Sequence, residues 1–179
     1  MENELKVVNI RLVDAPAIES QDALISPEDV CRFAAREIST YDREVMAILN
    51  LNAKGQVLHM HVASMGTIDA CMAAPREIFK AGILCNAHSI IAIHNHPSGD
   101  PTPSKEDLYV THRLEAAGEL LEIPLKDHII IGGGTQKAMS FCVNGFLKKD
   151  VAWVEQQVLE RNLKFASYRK EHKRQERRR

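Results

Sequence analysis

The sequence predicts a mixed α/β fold in which a single sheet lies between helices. Segments of helical pattern alternate with short apolar segments of strand type, and this order places helices against a sheet. One apolar segment, residues 88–93, is rich in β-branched residues and lies between a helix and a loop rich in Pro and Gly. Such a segment is typical of a central strand that is buried on both faces. With 179 residues and no internal repeat, the chain is expected to form one domain.

The first half of the chain contains two helix signals and one hairpin. A helix is predicted from Ser26, an N-cap followed by Pro and two acidic residues, to about Ile38. Residues 44–52 and 56–62 are strand-like and are separated by a Lys-Gly turn, which predicts a β-hairpin. A second helix is predicted to begin at Pro75, because proline suits the first helical position.

The second half of the chain continues the alternation. The loop 97–103 contains three prolines and leads to Ser104, an N-cap signal for a helix that runs to about Leu121. The remaining predicted elements are a strand at 125–131 ended by three glycines, a short strand at 140–146 and a helix at 151–165.

Composition is that of an ordinary globular protein, with 45% hydrophobic and 26% charged residues and a net charge of −1. These values exclude a wholly disordered, collagen-like or polytopic membrane protein. The charge is divided unevenly, because residues 161–179 contain nine basic and two acidic residues and the rest of the chain carries about −8. The sequence has neither a secretory signal nor an apolar stretch of membrane-spanning length, so we expect a cytoplasmic protein without membrane contact.

The cysteines are scattered and include no C-x-x-C pair that could form a zinc knuckle or a redox dithiol. They are Cys31, Cys71, Cys85 and Cys142. We expect reduced thiols that are mostly buried.

The segment that carries chemistry contains His94 and His96, followed by Ser104 and Asp107. Histidines at i and i+2 on a strand project to the same face, so both imidazoles can reach one ion. The rigid loop brings the chain back so that Asp107, in the first turn of the next helix, supplies a third ligand. Two imidazoles and one carboxylate suit Zn²⁺, and three protein ligands leave one position for water, as in catalytic sites. We therefore predict one zinc ion per chain. Hydrolysis would also need a group that moves protons and a donor to the oxyanion. The candidates for these roles are an upstream acid and Ser104.

The pattern H-x-H-x7-S-x-x-D closely resembles the JAMM motif of the MPN+/JAB metalloprotease superfamily. Three flanking segments narrow the resemblance to its RadC-like branch: Pro75-Arg-Glu-Ile-Phe, His94-Asn-His-Pro-Ser-Gly-Asp-Pro-Thr-Pro-Ser104 and Asp127-His-Ile-Ile-Ile-Gly132. The resemblance covers roughly residues 40–147 and implies a JAB/MPN fold of cytidine-deaminase-like architecture. The expected organisation is an N-terminal segment 1–40 with one helix, a RadC-like JAB/MPN metalloprotease domain 41–147, and a C-terminal helix with a basic tail, 148–179.

The resemblance also implies a role for each residue. The family's metal ligands fall on His94, His96 and Asp107, its oxyanion-stabilising serine falls on Ser104, and its upstream glutamate falls on Glu44. In such enzymes that carboxylate takes a proton from the attacking water and passes it to the leaving amine. The implied protein is a zinc metalloprotease of the JAMM type, which cleaves a peptide or isopeptide amide in a protein or peptide substrate.

Two departures from the family limit this interpretation. Only some 40 residues precede Glu44, so we expect no separate N-terminal DNA-binding module. The chain also lacks room for the long insertions with which ubiquitin-specific relatives hold their substrate, so specific deubiquitination is not predicted.

Two other functions are compatible with parts of the sequence. The protein could be a nucleic-acid-associated accessory or DNA repair protein, with weak phosphate contact through the basic tail 161–179 and a structural or weakly active metal centre. It is equally plausible that the same tail is a solvated helix end that interacts with the acidic remainder of the chain, residues 1–160. A zinc deaminase is set aside, because that chemistry needs H-x-E and P-C-x-x-C, and neither pattern occurs.

Several residues near the motif have plainer interpretations. His59 and His61 repeat the H-x-H spacing without a Ser-x-x-Asp segment behind them, and we expect them on a solvated strand face. Ser104 and Asp107 also form a capping-box pattern, a role that can coexist with catalysis. Supporting roles are predicted for Asn95, Ser98 and Asp100. Asp127 and His128 could suggest an acid/base pair, but adjacent strand residues face opposite ways, so a structural or interface role is predicted for them. A turn is predicted for Gly132-Gly-Gly134, which lacks the G-K-[ST] ending of a phosphate loop.

Overall fold

The computed structural model describes residues 12, 27–66, 74–135 and 137–147. Residues 1–144 form one compact unit, which contains all of the described helices and strands, and residues 145–179 form a second. The predicted helix at 151–165 and the basic tail lie outside the described residues. None of the helices in the described part of the chain is long and apolar enough to cross a membrane.

The described part of the first unit has three helices and five strands. The helices are α1 (Pro27–Ser39), α2 (Pro75–Leu84) and α3 (Lys105–Leu120); the strands are β1 (Val45–Leu51), β2 (Val57–Met65), β3 (Ser89–His96), β4 (Leu125–Gly132) and β5 (Ala138–Ser140). The strands form one sheet in the order β2-β1-β3-β4-β5. Strands β3 and β4 are parallel and all other neighbours are antiparallel. This mixed sheet with flanking helices confirms the predicted fold class.

The two faces of the sheet bury different sets of residues. One face packs against α1 through a buried apolar cluster that consists of Ile38, Val45, Ala47, Leu49, Leu51, Ile91, Ile93 and Ile131. Helices α2 and α3 lie on the other face. There α2 approaches so closely that a Cβ on Gly82 would lie 2.9 Å from Oδ1 of Asn50. Because side chains alternate along a strand, His94 lies on this second face, between residues that face α1.

The short strand predicted at 140–146 is wrong in position. Strand β5 ends at Ser140, and the chain then turns. The cause is Asp127, whose Oδ1 accepts a hydrogen bond from Cys142 N at 2.9 Å and whose Oδ2 accepts one from Ser140 Oγ at 2.6 Å. Ser140 Oγ also accepts from Val143 N at 3.0 Å. Such side-chain bonds to the backbone compete with ladder pairing and favour a turn.

The expectation of mostly buried thiols is wrong for the two cysteines whose side chains are described. Cys142 is exposed in the turn after β5, and Cys85 is half-buried at the C-terminal end of α2. Both are free thiols. The side chains of Cys31 and Cys71 lie outside the described residues.

Candidate metal centre

Strand β3 carries both histidines of the site. It lies between β1 and β4 in the middle of the sheet, and residues 89–95 of the strand are buried. The side chain of His94 is 2% exposed and that of His96 is 12% exposed. The site is therefore at the end of a buried central strand, where it opens to solvent on the side of His96.

The loop 97–103 is fixed against the end of β4. Gly133 N donates to His96 O at 2.8 Å. A Cβ on Gly132 would lie 2.2 Å from Gly99 O, so this close approach requires glycine, and Gly99 itself has a φ of +83°. The predicted turn at Gly132-Gly-Gly134 thus packs against the loop 97–103, which connects the histidines to α3.

Asp107 reaches the histidines from the first turn of α3. It is the third residue of the helix, and Ser104 is the N-cap. Its side chain is 15% exposed. Strand and helix therefore supply ligands from two directions, as the spacing predicts.

The three side chains form a group that can hold a metal ion. Nε2 of His94 lies 3.0 Å from Nε2 of His96. Oδ1 of Asp107 lies 3.1 Å from Nε2 of His94, and Oδ2 lies 3.3 Å from Nε2 of His96. A tetrahedral Zn²⁺ with ligand bonds of about 2.0 to 2.1 Å requires ligand atoms about 3.3 Å apart. No other group of three His, Cys, Asp or Glu in the described part of the chain converges in this way.

The second nitrogen of each ring is held by the protein. Nδ1 of His96 donates to the carbonyl of Asp100 at 2.8 Å, and Nδ1 of His94 lies 2.8 Å from Nε2 of His128. Both Nε2 atoms therefore point into the group, and two nitrogen lone pairs at this separation repel each other unless a cation lies between them. The donor set of two imidazoles and one carboxylate fits Zn²⁺.

Electrostatics in the group favour bound positive charge. Burial alone would raise the pKa of the Asp107 carboxyl, but hydrogen bonds with His94 and His96 outweigh burial and hold that pKa well below its usual range. The hydrogen bond to Asp107 raises the pKa of His96 against the opposing effect of burial, and the charge of Glu44 adds a smaller contribution. A proton and a metal ion therefore compete for the same nitrogen of His96.

The affinity of this group for a divalent metal ion, with Zn²⁺ as the test ion, is expected to weaken as the pH falls. The raised pKa of His96 means that proton competition begins above about pH 6.5, the ordinary histidine value, while Asp107 stays ionised. Below that raised pKa the affinity should fall by about tenfold per pH unit for each proton displaced. Competition titration with a chromophoric chelator between about pH 8 and about pH 5.5 measures the slope. A flat profile would show that His96 is not a ligand.

Ser104 makes a full capping box with Asp107. Its Oγ accepts from Asp107 N at 3.0 Å and donates to Asp107 Oδ2 at 2.6 Å, while Ser104 N donates to the same Oδ2 at 2.7 Å. The hydroxyl therefore orients a ligand carboxylate. The oxyanion role that the resemblance implies stays a prediction.

Glu44 immediately precedes β1 and is half-buried. The antiparallel register pairs Met46 with His94, so Glu44, two residues before Met46, lies beyond the paired part of β1, toward the end of β3 that carries His96. The charge of Glu44 contributes to the raised pKa of His96, which agrees with this position. The catalytic role of Glu44 stays a prediction.

Asn95 fixes the backbone on both sides of Glu44. It lies on the opposite face of β3 from the histidines and is fully buried. Its Oδ1 accepts from Val45 N at 2.8 Å, and its Nδ2 donates to Arg43 O at 3.0 Å and to Tyr41 O at 3.3 Å. The residue between the two histidines therefore ties the ligand strand to the segment that carries Glu44.

Ser98 and Asp100 form hydrogen bonds within the loop, which is the supporting role predicted for them. Oδ1 of Asp100 accepts from Thr102 N at 3.0 Å and from Thr102 Oγ1 at 2.7 Å. Ser98 Oγ accepts from Asp100 N at 3.4 Å. These bonds place the carbonyl of Asp100 that holds His96.

The expectation of a solvated face for His59 and His61 is wrong. Both are half-buried on β2, on the side of the sheet that α2 covers. Asn50 Nδ2 lies 3.3 Å from Nε2 of His59 and 3.2 Å from Nδ1 of His61. Burial is the main cause that lowers the pKa of His61. The buried Asn50 explains why polar rings occur at these positions.

Two residues lie behind His94, and sequence reasoning gave one of them, His128, no link to the metal group and did not single out the other, Thr111. His128 on β4 is fully buried and contacts Nδ1 of His94, and Thr111 on α3 contacts His128 in turn. Burial, followed by the charge of His94, holds the pKa of the His128 imidazole well below its usual range. Thr111 lies one helical turn after Asp107, and this spacing was the only local indication in the sequence that Thr111 is close to the metal group.

A mixed sheet that presents two histidines from a central strand and an aspartate from the next helix has the architecture of a JAB/MPN domain. The family model for the RadC-like JAB domain matches residues 24–146, and the chain belongs to this family.

Its similar curated relatives are UPF0758 proteins. The chain is 49% identical over 110 residues to one from Halalkalibacterium halodurans, which covers 62% of this chain and 47% of the relative. It is 48% identical over 122 residues to one from Desulforamulus reducens, with 68% and 53% of the two chains covered. A Bacillus pumilus protein is 44% identical over 122 residues, covering 68% and 54%. The chain thus spans about half the length of the curated relatives it matches.

Proposed function

We propose that the protein is a zinc-dependent hydrolase of the metallopeptidase type, which cleaves a peptide or isopeptide amide in a protein or peptide substrate. The observation that carries the proposal is the convergence of the ligand atoms of His94, His96 and Asp107 within 4.8 Å, with the charge of Glu44 close enough to contribute to the raised pKa of His96. Structural zinc sites close their coordination with four protein ligands, whereas three protein ligands keep a position for water. A three-ligand group that is partly open to solvent supports hydrolysis.

In the proposed site, His94 and His96 would hold one Zn²⁺ through Nε2, and Asp107 would hold it through its carboxylate. Zinc bound there would supply Lewis acidity, which lowers the pKa of a water molecule to about 7 and polarises an amide carbonyl. The histidines are oriented by the partners of their Nδ1 atoms, and Asp107 is oriented by Ser104. Such outer partners fix the direction of each ligand before substrate binds.

Glu44 is the proposed general base. Its carboxylate accepts a proton from the water whose oxygen bonds to the carbonyl carbon, and it donates that proton to the amide nitrogen as the C–N bond breaks. The products are a carboxylic acid and an amine, so the reaction needs only water besides the substrate. The position of Glu44 just before β1, where its charge acts on His96, supports this assignment.

Ser104 is the proposed donor to the oxyanion. In this structure its hydroxyl donates to Asp107 Oδ2. Rotation about the Cβ–Oγ bond redirects the proton toward a substrate oxygen while Oγ continues to accept from Asp107 N. The exposed position of Ser104 leaves room for substrate beside it.

Ser104→Ala is expected to lower turnover by about 10²- to 10³-fold, since one oxyanion donor is lost. It should also lower the free energy of unfolding by about 1 kcal/mol, because the cap of α3 is lost. Ser104→Gly separates the two effects, because glycine caps a helix at a cost of only a few tenths of a kcal/mol. Rates and denaturant midpoints of both variants should show equal losses of turnover and unequal losses of stability. If the folded Ser104→Gly variant turns over substrate as fast as wild type, Ser104 is not the donor to the oxyanion.

The hydrolase function is tested by proteomic detection of new peptide termini. A proteome treated with the wild-type protein is compared with one treated with the Glu44→Gln variant, so that background proteolysis cancels. Termini that appear only with the wild type identify substrates, and a complete absence of such differences would contradict the proposal. The cytoplasmic location and the contact of the basic tail with nucleic acid stay predictions, since no described residue bears on them.

A further inference from the structure

Behind His94 lies a buried polar pair, His128 and Thr111, that takes no direct part in the proposed reaction. Nε2 of His128 lies 2.8 Å from Nδ1 of His94, and Nδ1 of His128 lies 2.6 Å from Oγ1 of Thr111. Thr111 Oγ1 also lies 2.6 Å from the carbonyl oxygen of Asp107. His94, His128 and Thr111 are all buried, the last two fully. The chain of contacts runs from one metal-ligating residue to another.

The direction of each hydrogen bond follows from the carbonyl of Asp107, which can only accept. Thr111 has one hydroxyl proton and must donate it there, so its oxygen accepts from His128 and Nδ1 of His128 carries a proton. In the neutral ring, Nε2 of His128 is then an acceptor. Nε2 of His128 therefore accepts a hydrogen bond from the N–H at Nδ1 of His94, so Nε2 of His94 is unprotonated and directs its lone pair into the ligand group.

We propose that Thr111 and His128 form a relay that sets the tautomer of His94 and so keeps its Nε2 free for the metal. Both are positioning residues, because neither touches the ion or the substrate. The inference rests on metal binding by His94, His96 and Asp107, and it does not depend on hydrolysis. A histidine can bind a metal only through an unprotonated nitrogen, so the wrong tautomer blocks the site.

The surroundings of His128 hold the ring in one orientation. Its ring stacks on Phe141 with centroids 4.8 Å apart and an interplanar angle of 21°. Phe141 begins the turn that Asp127 anchors through Ser140 Oγ and Cys142 N. The neighbours Asp127 and His128 thus act together, since the first fixes the turn that packs the second against His94.

The relay is tested with the matched variants Thr111→Val and Thr111→Ser. Valine keeps the shape of threonine but removes the acceptor for His128, so His128 is expected to move its proton to Nε2 and to force the proton of His94 onto Nε2 as well. The ¹⁵N shifts of the His94 ring in the zinc-free protein at about pH 8 should report that change. Zinc affinity should fall by about 10- to 100-fold. Serine keeps the hydroxyl and should preserve both the tautomer and the affinity.

A second pair keeps the test valid if the valine variant does not fold. His128→Gln retains an amide oxygen that accepts from His94 Nδ1 without help from Thr111, whereas His128→Phe retains the stacking on Phe141 without an acceptor. The glutamine variant should bind zinc within a few fold of wild type, and the phenylalanine variant should lose about 10- to 100-fold. Equal affinities across either pair, with an unchanged His94 tautomer, would overturn the relay. A tautomer change in a protein that binds no zinc would instead support the relay and overturn the zinc-dependent function.

Discussion

Glu44→Gln is expected to lower turnover of an amide substrate by about 10²- to 10⁴-fold while zinc stays bound, because general-base catalysis contributes an effect of this size. Glutamine has nearly the same shape as glutamate, but it cannot accept and then return a proton. Glu44 lies outside the triad of ligand residues, and its backbone is held by Asn95, so the substitution leaves both the ligands and the local fold in place. Single-turnover rates measured beside zinc content separate a chemical defect from loss of the metal.

Glu77→Gln is the matched control for this prediction. Glu77 is a half-exposed carboxylate in the first turn of α2, where it pairs with Lys80 and Arg76. Its loss should leave turnover at the wild-type value. If Glu44→Gln cleaves as fast as wild type with its zinc retained, Glu44 is not the base. Asp100 would be tested next, although its Oδ1 is occupied by Thr102.

The ligand group is predictable from the sequence because each of its parts is local. Strand periodicity puts His94 and His96 on one face, and the capping box with Ser104 fixes Asp107 in the first turn of a helix. Only the loop 97–103 has to join the two parts, and its prolines and its glycine leave it few conformations. The spacing of His94, His96, Ser104 and Asp107 along the chain therefore predicts nearly all of the geometry of the ligand group.

The support behind that group is not predictable, because it depends on pairing between distant segments. The parallel register sets Ala92 opposite His128, and a slip of one residue would turn His128 to the other face of the sheet. In the same way, the sequence predicts that His59 and His61 are solvated, but the pairing of β1 with β2 sets His59 opposite the buried Asn50, and both histidines are half-buried. The prediction of the last strand is wrong for the same reason, because a hydrogen bond to Asp127, thirteen residues earlier in the chain, ends that strand at Ser140.

We expect the wild type to bind about one zinc ion per chain, and we expect the double variant His94→Ala/His96→Ala to lose that zinc and the proposed cleavage with it. Both imidazoles point Nε2 into the group, so their removal leaves Asp107 as the one remaining member. A single carboxylate holds a transition metal weakly, because affinity at such a site depends on imidazole nitrogen. Elemental analysis after dialysis, together with a cleavage assay, measures both losses.

His59→Ala/His61→Ala is the matched control, since it removes two histidines at the same spacing from the same face of the sheet. One nitrogen of each ring contacts Asn50 and neither ring belongs to the metal group, so zinc content and cleavage should stay at wild-type values, with any loss confined to stability. The comparison also distinguishes binding at one specific site from nonspecific binding by histidine pairs, which would respond to either double substitution. Zinc that survives removal of His94 and His96 but not of His59 and His61 would move the metal centre to β2. The hydrolytic mechanism would then lose its basis, because Glu44 and Ser104 are arranged around Asp107 and the end of β3.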